Sequence, residues 1–300
     1  MFMGELLLDS EKRVTPECGY FGTCGGCSFQ DLDYEIQLEL KRRKVGEALN
    51  SFRSGDDFEI NPTVPSPKPY HYRHMIALSV MKKRGALRLG FIESDRWTFL
   101  SIEACPIADE RINHFLPEAL KKLEALPEKR RFRTSQVVLR VGSEGEVVTS
   151  LRSDRGRTLE CQVLGKAFSY PVSSFFQHNF SILESFLKTI HSFLNPNGSG
   201  VLFDLYSGVG LLGISLAGAY ERLIGIEEGY EAVQHAKRNA ERNHVANVEF
   251  LEGKVEEILG EIVGAAPIKP MFRCAGFEGK NPWAGLGRFE ISRTKLQGRV

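Results

Sequence analysis

The stretch Val201-Leu202-Phe203-Asp204-Leu205-Tyr206-Ser207-Gly208-Val209-Gly210-Leu211-Leu212-Gly213 decides the fold. Residues 201–205 are a short apolar run broken by one carboxylate, the pattern of a buried strand. Ser207 to Gly210 let the backbone turn tightly and approach a ligand, and apolar residues at helical spacing resume from Leu211. A strand feeding a glycine turn and a helix is how doubly wound α/β domains hold a nucleotide-like cofactor at their strand ends.

The pattern continues downstream. Residues 222–227 read as a second parallel strand ending in the acid Glu227. Residues 230–243 form a helix with Ala232, Val233, Ala236 and Ala240 on one face. Residues 247–251 make a third strand and 255–263 a short helix, so the alternation is the first half of a doubly wound sheet. From Ala265 the alternation stops where a fourth buried strand is expected. Residues 265–300 therefore read as an aberrant or disordered tail, as an out-of-frame segment would.

Upstream, residues 181–194 read as a helix ended by Asn195-Pro196-Asn197-Gly198. Residues 60–170 form a β-rich module with strands at 74–81, 86–92 and 98–102, a helix at 106–126, and a hairpin of 135–142 with 146–152. Residues 31–49 read as a helix with Leu32, Ile36, Leu40 and Leu49 at helical spacing, and 51–69 as a linker. The chain thus divides into 1–59, 60–170, an α/β domain at 171–264, and 265–300.

Gly208-x-Gly210-x-x-Gly213 formally fits a dinucleotide fingerprint. Asp204 argues for another ligand. A carboxylate on the strand just before the turn opposes a pyrophosphate, whereas it suits the amino group of S-adenosylmethionine. Glu227 at the next strand end suits ribose hydroxyls. The turn therefore reads as an S-adenosylmethionine site rather than an NAD site.

Cys18, Cys24 and Cys27 stand in ten residues that also hold four glycines, and Cys105 in Glu103-Ala104-Cys105-Pro106 is the natural fourth ligand. Three thiols so close in a chain without a signal peptide point to a metal centre more than to disulfides. The spacing is unlike the paired knuckles of a zinc ribbon, which favours iron–sulfur over zinc.

A net charge of +1 gives no global pull toward nucleic acid. Basic residues cluster at Lys41–Lys44, at Lys82, Lys83, Arg84 and Arg88, and at Lys129–Arg131 with Arg133, all before the glycine turn. They make a modest phosphate-binding surface there. No apolar run is long enough to span a membrane, so the expectation is a monomeric cytoplasmic protein.

Four separated stretches give the chain a family likeness. They are Cys18-x5-Cys24-Gly25-Gly26-Cys27 with Cys105-Pro106-Ile107; Tyr72-Arg73; Phe175-Phe176-Gln177-His178-Asn179; and Asp204-Leu205-Tyr206-Ser207-Gly208-Val209-Gly210 with Gly225-Ile226-Glu227. Together they resemble the RNA 5-methyluridine methyltransferases, which methylate C5 of uracil in ribosomal and transfer RNA. The resemblance implies a Rossmann-like S-adenosylmethionine domain, a [4Fe-4S] cluster on Cys18, Cys24, Cys27 and Cys105, and an RNA partner. It also implies cofactor contacts from Gln177, Tyr206 and Glu227. The departures are specific. The family's Asp-Pro-Pro-Arg segment, its nucleophilic cysteine in a Ser-Cys-Asn-Pro-like segment and its general-base glutamate are not found. Lys254 replaces a polar residue that usually helps seat the cofactor. Seventeen residues precede Cys18, where an RNA-binding β-barrel often stands. A thiolate must add at C6 before C5 can take a methyl group, and a base must then remove the C5 proton. Cys274 lacks the flanking pattern and Cys161 reads as structural, so no catalytic residue is assigned. The expectation is a methyltransferase-family chain without its catalytic half, or a non-catalytic RNA-binding iron–sulfur protein.

Overall fold

The structure is a computed structural model describing residues 13–50 and 59–263, apart from 84, 94, 96, 128–134, 155, 173, 195–197 and 199. The expected tail lies outside the described residues. The chain divides into two compact units, Met1–Cys161 with Gln177–Glu184 and Gln162–Phe176 with Ser185–Val300.

In the first unit, helix α1 (Tyr34–Asn50) starts later than the expected residue 31 because the Asp33 side chain accepts the N–H of Glu35 at 3.0 Å. Leu32, Leu38 and Leu40 are buried, while Leu49, expected on the apolar face, is exposed. Residues 59–69 have no regular structure but are tied to α1. Arg42 Nε donates to the Ile60 carbonyl at 2.8 Å and Thr63 Oγ1 to the Leu38 carbonyl at 2.9 Å. Residues 51–58 of the expected linker are outside the described residues.

An antiparallel sheet of β1 (Met75–Lys83), β2 (Ala86–Ile92), β3 (Phe99–Ser101), β4 (Gln136–Val141) and β5 (Val147–Thr149) follows, in the order β3-β2-β1-β4-β5. Period-two alternation points Ile76, Leu78, Leu89, Val137 and Leu139 into one core with helix α2 (Glu110–Glu124). The helix begins at Glu110 rather than at Pro106 because the Asp109 side chain accepts the Arg111 N–H at 3.0 Å and caps it. Strand β6 (Thr158–Val163) carries the chain out of this unit.

The second unit contains β7 (Lys166–Pro171), most of helix α3 (Leu183–Leu194), and three parallel strands, β8 (Val201–Leu205), β9 (Arg222–Glu227) and β10 (Val248–Glu252), in the order β10-β9-β8. Helices α4 (Leu211–Leu216), α5 (Tyr230–Arg242) and α6 (Val255–Val263) follow those three strands in turn. Ile224, Ile226, Val255 and Leu259 form its apolar centre. The spans of β8, β9 and α6 are those expected from the sequence, and β10 starts one residue later. Among the described residues no helix is long and apolar enough to cross a membrane.

Strand β7 is served by side chains instead of a further strand on the side facing α5. Asn239 Oδ1 accepts the Ser169 N–H at 2.8 Å and Nδ2 donates to the Ser169 carbonyl at 3.0 Å. One helical turn later, Asn243 does the same for Ala167, at 2.9 and 2.8 Å. Four helical residues rise about 6 Å, close to the roughly 6.6 Å between alternate strand residues, so two amides on one helix face match two peptide groups. Asn239 also donates to the Val209 carbonyl at 3.0 Å, tying the glycine turn to the same helix. Replacing Asn239 by Ala removes the partner of three backbone groups, the part-buried N–H and carbonyl of Ser169 and the buried carbonyl of Val209. The expected loss is about 2–4 kcal/mol in urea denaturation, whereas Lys237→Ala on the exposed face of α5 should change stability by less than about 0.5 kcal/mol.

Candidate cofactor site

The three glycines of the turn meet different constraints. Gly208 has φ +55° and open space where a side chain would stand, so a ligand can approach its backbone. Gly210 has φ +82°, and a Cβ there would lie 2.7 Å from the Phe250 ring. A Cβ on Gly213 would lie 2.9 Å from Asp204 Oδ2 and from Leu223 Cδ2. Gly225 on β9 is under the same ring, with Phe250 Cδ1 2.4 Å from where its Cβ would be.

Asp204 is buried at the end of β8, and its Oδ2 accepts the Gly213 N–H at 2.8 Å. It therefore spans the turn and satisfies an N–H of the first turn of α4. Burial pushes its carboxyl up to about 6 against the lowering effect of the Gly213 bond, and the charge of Glu227 adds to the rise. Glu227 Oε2 accepts the Gly208 N–H at 3.0 Å and Oε1 the Gly229 N–H at 2.8 Å. The strand-end acid thus holds both flanking loops. Tyr206 has φ +61°, a left-handed conformation rare for an aromatic residue. Its hydroxyl donates to Glu256 Oε1 at 2.6 Å. Ser207 Oγ is buried beside the turn without a hydrogen-bond partner among the described residues.

The second unit thus brings together Asp204, Tyr206, Gly208, Gly210 and Glu227. Gln177 falls in the first unit, where the adjacent His178 carbonyl accepts the His74 N–H at 2.9 Å. Lys254 precedes α6 and faces Glu257 at 3.7 Å. Sequence reasoning missed Asn239, Phe250 and Glu256. Asn239 had a visible signal, a polar residue among the alanines of an apolar helix face. Phe250 and Glu256 had none.

The cysteine loop is built within the first unit. The Cys18 N–H donates to Gln30 Oε1 at 3.3 Å, and the Cys24 N–H to the Tyr20 carbonyl at 2.8 Å. Cys24 also forms a bridge with Glu93 just beyond β2. Asn113 on α2 fixes Cys105 with both amide atoms, at 2.9 and 3.1 Å from its N and O. Burial pushes the thiols of Cys24 and Cys105 up, and the charges of Cys27 and Cys18 add to both. All four are unpaired thiols. Among the described residues, however, no three His, Cys, Asp or Glu side chains converge as a metal site. Cys161 is a buried thiol pushed up to about 12 by desolvation.

The basic clusters are partly engaged. Arg42 faces Glu39 at 3.6 Å, Arg43 faces Glu47 at 3.5 Å, and Lys44 lies 5.3 Å from the Phe29 ring centre. Arg84 and the cluster at 129–133 are outside the described residues.

The parallel sheet, the glycine turn and the two strand-end acids define an α/β methyltransferase fold. Residues 157–269 match the family model of the tRNA (uracil-5-)-methyltransferases. The chain is 32% identical over 274 residues to a tRNA (uracil(54)-C(5))-methyltransferase of Schizosaccharomyces pombe, an alignment covering 86% of this chain and 52% of that protein. It is 25% identical to a 23S rRNA (uracil(1939)-C(5))-methyltransferase of Aliivibrio fischeri, over 87% of this chain and 67% of the relative. The crystal structure of Pyrococcus abyssi tRNA (uracil-54, C5)-methyltransferase in complex with S-adenosyl-L-homocysteine superposes with a TM-score of 0.55 at 25% identity, covering 77% of this chain and 66% of that one. By these matches the chain is similar to RNA uracil-5-methyltransferases. The chain spans about half to two thirds of the length of these relatives.

The Asp204 geometry carries a stability prediction. Asn at 204 keeps an acceptor for the Gly213 N–H, whereas Ala leaves that N–H unpaired. Asp204→Ala should be about 1–3 kcal/mol less stable than Asp204→Asn at pH 7.5. The folded-state pKa is raised above the unfolded value, so the native state binds the extra proton. Wild-type stability should therefore fall relative to Asp204→Asn as pH rises from about 4 to about 6, and level off above, in paired urea titrations.

Proposed function

We propose that the chain is an S-adenosylmethionine-dependent RNA uracil-C5 methyltransferase-family protein, directed at ribosomal or transfer RNA, that binds the methyl donor without completing the transfer. The observation that carries the ligand choice is the pair of carboxylates at the ends of β8 and β9, Asp204 with its raised pKa and Glu227 contributing to that rise. A cationic ligand group relieves that repulsion, whereas a pyrophosphate adds to it. The open backbone at Gly208 fits an organic cofactor at this turn. When bound, S-adenosylmethionine supplies an electrophilic methyl group.

In this reading Asp204 keeps the turn closed onto α4 and contributes negative potential. Glu227 exchanges backbone N–H partners for ribose hydroxyls. Tyr206 forms an aromatic wall, and Gly208 and Gly210 let the backbone come close. The nucleophile that adds at C6 and the base that removes the C5 proton are not assigned to any described residue. The off-pattern sequence after Ala265, read as out-of-frame, is the reason for placing transfer outside this chain. Translating the coding DNA in the other frames tests that point, and finding no Asp-Pro-Pro-Arg-like segment with a later cysteine there would remove it.

Calorimetric titration of the full chain with S-adenosylhomocysteine and with NAD separates the cofactor readings. Binding of the first and not the second is expected, and the reverse would point to a Rossmann oxidoreductase. Undermethylated total RNA incubated with protein and methyl donor should yield no new 5-methyluridine on nucleoside analysis. Its appearance would make the chain a complete enzyme.

Cys18, Cys24, Cys27 and Cys105 would hold a [4Fe-4S] cluster in the first unit, in a reducing cytoplasm. Four free thiols within electrostatic reach, one presented by Asn113, support this placement. Protein purified anaerobically should be brown with broad visible absorbance that Cys27→Ser abolishes. A colourless protein containing zinc would replace the cluster with the alternative metal.

A further inference from the structure

Tyr206 directly follows β8, and Glu256 lies in the first turn of α6, which follows β10. Strand β9 lies between those two strands in the sheet. The hydrogen bond from the Tyr206 hydroxyl to Glu256 Oε1, at 2.6 Å, therefore joins elements on either side of β9 at its carboxyl end. That is the edge where α/β sheets take ligands, and it is where Glu227 ends β9. Two further observations bear on the role of this contact. Tyr206 has φ +61° in a region an aromatic side chain adopts only when its surroundings impose it. More than half of its surface is exposed at that edge.

We propose that Glu256 is a positioning residue of the cofactor crevice, fixing the Tyr206 ring as a wall across the carboxyl end of β9. This rests on the reading of the second unit as an S-adenosylmethionine site. The hydrogen bond pushes the Tyr206 phenol up to about 12 and holds Glu256 below the ordinary glutamate range. Donor and acceptor thus stay in their bonding forms through neutral pH, and the wall is set before a ligand arrives. Preorganisation of this kind lowers the ordering cost of binding.

The test is calorimetric titration of the full chain with S-adenosylhomocysteine, using wild type, Glu256→Ala, Glu256→Gln, Tyr206→Phe and the double variant Tyr206→Phe/Glu256→Ala. Each of Glu256→Ala and Tyr206→Phe should weaken binding by about 3- to 10-fold. The double variant should be no weaker than either single one. Glu256→Gln keeps an acceptor oxygen and should recover most of the affinity. Melting temperature, read in parallel, separates positioning from folding. A role confined to stability would lower it without the coupled loss of affinity. If Glu256→Ala fails to fold, Tyr206→Phe, which removes the same hydrogen bond from the donor side, still reads the loss, with Glu256→Gln as the variant that retains it. Wild-type binding with unaltered affinity in the variants, or losses that multiply in the double variant, would overturn this inference alone. A wild type that does not bind S-adenosylhomocysteine would overturn both this inference and the function on which it rests.

Discussion

The hydrogen bond from the Gly213 N–H to the buried Asp204 carboxylate is the constraint on which the second unit depends. It crosses the glycine turn and fastens the end of β8 to the first turn of α4. Close approach is its condition, since any side chain at 213 would collide with the carboxylate it is meant to reach. The turn it closes then passes over Phe250, whose ring leaves no room for a Cβ at Gly210 or Gly225. One polar contact and one aromatic ring thus explain three glycines on two elements. Burying a carboxylate with an acid nearby is costly, and burial is the main cause of the upward shift of the Asp204 carboxyl. Such tension is more often kept at a ligand site than in a core.

The same turn is held from below by an unusual helix face. The apolar stripe of α5 is interrupted by Asn239 and Asn243, which pair with the backbone of β7 much as a neighbouring strand would. Because Asn239 also reaches the Val209 carbonyl, β7, α5 and the glycine turn form one hydrogen-bonded body. A buried polar network of this type is stabilising only when every member is satisfied, and Asn239 uses both of its amide atoms.

The parallel half-sheet was legible because its strands are continuous apolar runs bounded by acids and glycines; β8, β9 and α6 have the spans the pattern predicts. Helix starts were less so. Asp33 and Asp109 each delay a helix by capping it, and a capping acid looks like any other acid near a helix start. At the site, the two strand-end acids were visible in the sequence but their partners were not. Asp204 was expected to face a ligand, and its Oδ2 is taken by the backbone of Gly213. Long-range partners such as Phe250 and Glu256 come from a third strand and helix, and nothing in local spacing announces them. For the thiols, spacing singles out the four residues, but the reach of each Sγ depends on rotamers that no spacing encodes.

These partners also change what the Gly-x-Gly-x-x-Gly pattern means here. Read as a ligand fingerprint, it treats all three glycines alike and points to a dinucleotide. In the structure Gly210 and Gly213 serve packing against Phe250, Leu223 and Asp204, and Gly208 is the open position. The spacing therefore reports how a strand, a turn and a helix are brought close, a requirement common to several cofactors. At that open position Glu227 accepts the Gly208 N–H, and the buried Asp204 adds negative potential behind the turn. Negative charge of that kind disfavours a diphosphate, so under the proposed function it is the strand-end acids and not the glycines that would discriminate between the two cofactor classes.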